Sequence, residues 1–123
     1  VKQPISALQA ARSLSELWSP RVIAELDDSY VKVAKLEGQL GWHSHAEEDE
    51  LFLVLSGRLR IEMEDREVTL GPGDCFVVPQ GIRHNPVADP DTCVLLVEKR
   101  TTLHTGSEIS EHTRSLESQL RPL

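Results

Sequence analysis

Residues 41–57 read GWHSHAEEDELFLVLSG, and residues 71–84 read GPGDCFVVPQGIRH. The first stretch sets His43 and His45 one residue apart, then gives the polar run AEED, then Glu50, an unbroken apolar run and a glycine. Side chains alternate faces along an extended chain, so residues two apart point the same way. A strand over residues 40–45 therefore aims both imidazoles at one point. The AEED run suits a turn, and an antiparallel strand starting at Glu50 brings a carboxylate beside both rings. His84 arrives from the second stretch, after the turn Pro79-Gln80-Gly81. Imidazole nitrogen and carboxylate oxygen are usual ligands for transition metals. His43, His45, Glu50 and His84 are thus the candidate ligands of one divalent metal: Fe, Mn, Ni or Zn. Taken singly, the pieces have a plainer account. A His-x-His pair is often a pair of surface residues, and an acidic run is often a solvated turn.

The apolar runs around these stretches read as strands. Residues 51–55 (LFLVL) and 94–97 (VLLV) are apolar at every position, which implies burial of both faces. Phe52 and Val54 are in phase with Glu50 and should line a barrel interior. Leu51, Leu53 and Leu55 need a second cover, either an N-terminal helix or another subunit, and a homodimer is expected. Residues 58–64 (RLRIEME) alternate, with Leu59, Ile61 and Met63 on one face and a solvated charged face opposite. Residues 75–78 (CFVV) read as a buried strand. Phe52, Val54, Phe76 and Val78 are candidate pocket-lining residues and serve equally well as core. With residues 22–26, 30–36 and 67–70, these runs give short strands separated by turns, the pattern of a barrel or sandwich.

The two ends differ in texture. Ile5, Leu8, Leu14, Leu17 and Trp18 fall at loosely helical spacing. They predict one short helix ending before Ser19-Pro20, because the residue before proline avoids the helical region. Its apolar face would close one end of the barrel or cover a partner's; a loosely attached arm is the alternative. Residues 101–107 read as a loop, and residues 108–120 as either a short helix or a frayed tail. His104 and His112 read as surface residues. The expected partition is an N-terminal arm (1–20), a barrel (21–100) and a C-terminal tail (101–123).

A length of 123 residues suits one domain. The net charge of −7 argues against a nucleic-acid partner, which would need Lys and Arg at phosphates. No apolar run approaches the roughly 20 residues of a membrane span, and no leader-like segment opens the chain. Cys75 and Cys93 sit in strand-like runs and read as buried free thiols in a reducing compartment, which points to the cytoplasm; a disulfide between them is the lesser reading. There is no Ser-His-Asp set, phosphate-cradling glycine loop or CxxC pair.

Together, His43-x-His45-x4-Glu50-x6-Gly57 and Gly73-x5-Pro79-x-Gly81-x2-His84 resemble the first and second motifs of the cupin superfamily. The resemblance spans roughly residues 31–100 and is similar above all to small single-domain cupins of the mannose-6-phosphate isomerase-like kind. It implies an all-β fold, a double-stranded β-helix (jelly-roll) barrel, with His43, His45, Glu50 and His84 as metal ligands. Two positions depart from the pattern: Gly38 and Gly41 stand too near His43 for the usual opening glycine, and Ala88 stands where asparagine usually closes the second motif. The implied function is a small metalloenzyme on an oxygen-rich molecule, of dioxygenase, decarboxylase or isomerase type. A non-catalytic metal-dependent binding or sensing module is the alternative. Glu50 is then either the fourth ligand or a base.

Overall fold

The computed structural model describes residues 3–123, so the first two residues of the expected arm lie outside the described residues. Helix α1 spans Ala7–Arg12 and is followed by seven strands: β1 Arg21–Leu26, β2 Ser29–Gln39, β3 Glu50–Ser56, β4 Leu59–Met63, β5 Glu67–Leu70, β6 Cys75–Val78 and β7 His84–Lys99. One turn of helix, α2 (Leu116–Gln119), lies near the C-terminus. All strand pairs are antiparallel, in the order β1-β2-β7-β3-β6, with β4 joining β7 and β5. The result is a jelly-roll barrel, as the motifs implied.

The organising strand is β7, 16 residues long. The expected strand over residues 94–97 is only a part of it. Its first half pairs with β4, setting His84 opposite Met63, and its second half pairs with β3, setting Glu98 opposite Glu50. Between the halves, Asp91 adopts φ 63°, and the chain turns from one partner to the other. Gly57 sits against this corner at φ 82°. A Cβ there would stand 2.6 Å from the Thr92 Cα, so only glycine lets the two backbones meet.

The interior follows the period of two. Phe52 and Val54 of β3, Leu59, Ile61 and Met63 of β4, Val78 of β6 and Val94 and Leu96 of β7 form one buried cluster. Full burial of such side chains contributes about 1.5–3 kcal/mol each. The outer face is drier than water but not sealed: Leu51, Leu53, Leu95 and Val97 are half-buried, and Val77 is exposed. The expectation that residues 51–55 and 94–97 are buried on both faces is corrected accordingly. So is the buried strand at 75–78, where only Val78 is fully inside and Cys75 is an exposed free thiol. Cys93 is free and buried.

Helix α1 is shorter than its spacing suggested and does not close the barrel end. Ala10, Ala11 and Leu14 pack on the outside, against Val33 and Cys93 with Leu55 beside them. Ser6 caps the helix by accepting from the Gln9 N–H. Ile5 and Leu17 of the expected apolar face are exposed. Closure comes from Trp18, which leaves the helix, adopts φ 56° and buries its ring in the interior cluster. Its indole N–H donates to the Glu37 carbonyl at 2.8 Å, and its backbone N–H to the Lys35 carbonyl at 2.9 Å. A bulky residue in the left-handed region is strained, and those two bonds and the buried ring hold it there.

Candidate metal centre

The barrel brings the four candidate ligands together. One ligand atom from each of His43, His45, Glu50 and His84 lies within 4.8 Å of the others, and all four residues are buried. Glu50 Oε1 is 3.6 Å from His45 Nε2 and 3.5 Å from His84 Nε2. Glu50 opens β3 and His84 opens β7, so two sheet positions fix two of the groups. The expected strand over residues 40–45 does not form. His43 instead makes an isolated bridge to His84, with backbone bonds of 3.0 and 2.9 Å in the two directions. His45 stays in the loop, where its carbonyl accepts from the Gly81 N–H at 2.7 Å.

Ring orientation is set from behind. His43 Nδ1 lies 3.0 Å from the Gly41 carbonyl, and His84 Nδ1 lies 3.0 Å from the Ile82 carbonyl. A carbonyl only accepts, so each Nδ1 carries the proton and each Nε2 keeps its lone pair. Burial, then the neighbouring His84 ring, push His43 down to about 4. Burial works against the Glu50 anion, but the His45 and His84 rings facing it outweigh that and hold its carboxyl well below the usual range. His45 Nε2, His84 Nε2 and Glu50 Oε1 are all buried without a hydrogen-bond partner. Buried polar atoms left unpaired cost on the order of 1–3 kcal/mol each. Imidazole nitrogens and a carboxylate converging in this way fit a divalent cation.

The site opens on a small cavity of about 30 Å³. That holds roughly two waters. Its wall is mostly apolar, with Trp18, Leu36, Leu40, Phe52, Val94 and Leu96, and its polar side chains are His43, Glu50, Glu98 and His104. Of the four residues expected to line a pocket, Phe52 does so, while Val54 and Val78 are buried in the interior cluster and Phe76 packs against it. Trp42 and Arg83, each beside a ligand in sequence, lie outside the site: Trp42 is exposed, and Arg83 reaches Glu64 and Glu108 at 3.9 and 3.8 Å.

Three residues of the site were not anticipated. Glu98 is buried and lines the cavity opposite Glu50. Lys32, only 1% exposed, places Nζ 2.6 Å from Glu98 Oε1 and donates to Gln119 Oε1. Burial, and next the Glu50 charge, push the Glu98 carboxyl well above its usual range, with Lys32 opposing them. The signal was parity: Glu98 is in phase with Val94 and Leu96, and Lys32 with Ala34 and Leu36. The third is His104. The surface reading of His104 is corrected, because the tail folds its ring into the cavity wall. His112 likewise is half-buried, with its ring centroid 6.2 Å from that of Trp18.

A profile of the cupin domain matches residues 29–98. The chain is 34% identical over 94 residues to the uncharacterised Bacillus subtilis (strain 168) protein YdbB, covering 76% of this chain and 83% of that one. Among solved structures, it is similar to a cupin-2 domain containing protein from Shewanella frigidimarina, with 38% identity, a TM-score of 0.75, and 78% and 94% of the two chains covered. It is also similar to protein NMB1881 from Neisseria meningitidis, with 26% identity, a TM-score of 0.68, and 79% and 98% covered.

Proposed function

The chain belongs to the cupin domain family, and from that membership we propose that it is a small metalloenzyme acting on a small oxygen-rich molecule, of dioxygenase, decarboxylase or isomerase type. The observation that carries this reading is the convergence of three partnerless buried atoms, His45 Nε2, Glu50 Oε1 and His84 Nε2. His43, His45 and His84 would supply nitrogen and Glu50 oxygen to one divalent ion: Fe, Mn, Ni or Zn. A metal held there supplies Lewis acidity, and iron adds redox chemistry. The residues do the rest. The carbonyls behind His43 and His84 keep both lone pairs forward, and Phe52, Leu96 and Trp18 keep bulk water out. Glu98, its proton held by burial, is the group placed to pass a proton at the cavity floor.

The cavity wall has no Lys or Arg among the described residues, which favours a carbonyl, enol or phenol substrate over a sugar phosphate. The binding-only reading is supported by the cavity's size, about 30 Å³, which leaves little room for a substrate while the tail is docked. The proposed division of labour follows the expected partition: barrel 21–100 for the ligands, tail 101–123 for the cover. The free thiols of Cys75 and Cys93 support a cytoplasmic setting. The outer apolar face of Leu51, Leu53, Val77, Leu95 and Val97 supports a homodimer, and a monomer mass by light scattering at micromolar concentration would refute it.

The test is elemental analysis of protein purified without tag, chelator or added metal, beside His43→Ala and His84→Ala. About one equivalent of metal, lost in both variants, is expected. Oxygen uptake and product formation with small diones, phenols and keto acids then separate turnover from binding. Protein that takes up no metal when offered it would end this reading.

A further inference from the structure

His43 and His104 line the same cavity with opposite protonation patterns. The backbone N–H of Arg114 donates to His104 Nδ1 at 2.9 Å. An amide N–H only donates, so Nδ1 holds the lone pair and the neutral ring carries its proton on Nε2. Burial, above all other influences, pushes His104 down to about 4, so the ring is neutral at pH 7. It is therefore no further ligand: its one lone pair is spent on Arg114, and it is not among the side chains whose ligand atoms converge. What it offers the cavity is an N–H.

The tail is built to hold that ring in place. Gly106 packs against the Ser44 carbonyl, between the two ligands of the first motif, at φ 59°, where any Cβ would collide. Thr105 Oγ1 donates to the Glu108 carbonyl and lies 2.7 Å from Thr113 Oγ1, which accepts from the Ser110 N–H at 2.9 Å. Gln119 donates to the Arg114 carbonyl at 3.1 Å and accepts from buried Lys32, so the residue that orients His104 is itself tied to the barrel.

Resting on the metal reading above, we infer that His104 is a specificity-determining residue, whose Nε2–H donates a hydrogen bond to the acceptor atom of a small metal-bound ligand. The ligand class follows. It carries one accepting oxygen or nitrogen near the metal and is otherwise compact and apolar, matching Leu36, Phe52 and Leu96. A neutral donor without a neighbouring Arg selects carbonyl, enolate or phenolate oxygen over phosphate.

The test uses the full chain loaded with Co²⁺ and titrated with azide, an acceptor small enough for the cavity, followed by visible absorption. Azide binding should weaken about tenfold in His104→Ala and His104→Asn, the loss of one hydrogen bond to an anion. His104→Gln, whose amide N–H reaches the Nε2 position, should recover most of it. Co²⁺ affinity should stay within about twofold in all three. In the diamagnetic Zn²⁺-loaded protein, long-range ¹H–¹⁵N correlation should find the proton on Nε2 of His104 and on Nδ1 of His43 and His84. Wild-type azide affinity in His104→Ala and His104→Asn, or a proton on Nδ1 of His104, would overturn the assignment while leaving the metal reading intact. Failure of the wild type to take up Co²⁺ would overturn both.

Discussion

The metal centre and the tail each send one histidine, His43 and His104, to the same cavity, and they send them in opposite states. His43 and His84 are backed by carbonyls and present lone pairs, whereas His104 is backed by an amide N–H and presents a proton. The difference lies in the backbone behind the ring, not in the ring. A histidine's role in a buried site is thus decided by whether a C=O or an N–H stands at Nδ1.

The sharpest way to break the comparison is to remove one ring of each kind. His84→Ala should abolish metal retention, by more than the roughly 10–100-fold typical of losing an outer-shell partner, while His104→Ala keeps the metal. Elemental analysis of both proteins after dialysis decides it, and equal loss would make His104 a ligand after all. Next in size is Lys32→Met, which leaves Glu98 buried without its cation and the tail without its anchor. Breaking one partner of a buried pair costs about 3–5 kcal/mol, read from denaturant midpoints. Burial already holds the proton on the Glu98 carboxyl, so the loss should sit at the lower end of that range.

A pH series sharpens the comparison from another side, because His43 and His104 are both lowered to about 4. With unfolded values near 6.5, the unfolded chain binds more protons between pH 4 and 6.5. Stability of the metal-free protein is therefore complete above about pH 6.5 and falls as pH drops to about 4, by roughly 3 kcal/mol for each ring. In His104→Gln, urea unfolding should lose about half of that pH dependence. Full dependence in the variant would mean that the tail ring titrates as if solvated. The smallest effect is local. Gly106→Ala should lift the tail from Ser44 at a cost of about 1–3 kcal/mol, seen as faster hydrogen exchange at the Arg114 amide with no loss of metal.

How much could be read in advance follows the same division. His43, His45, Glu50 and His84 were legible because two short segments carry them at fixed spacing, and the turns that set that spacing are local. A barrel or sandwich was legible from the alternation in residues 58–64 and the short turns, and the resemblance to cupins narrowed it to the jelly roll. Glu98 and Lys32 were hidden by their neighbours: VLLV reads as buried on both faces, so the parity that puts Glu98 inside goes unnoticed. Trp18 was misplaced because helical spacing continued on paper after the helix ended at Arg12. His104 had no periodicity to follow, since an irregular segment is shaped by bonds such as Thr105 to Thr113 that no spacing rule foresees.

Trp18 has an optical consequence. Its indole is 4% exposed in the cavity wall that His43 also lines, whereas Trp42, the only other tryptophan, is 39% exposed. The protein thus carries a blue-emitting fluorophore at its site and a redder one outside. A Trp42→Phe variant would emit from Trp18 alone, and quenching by a bound paramagnetic ion would give metal occupancy in real time, with no label added.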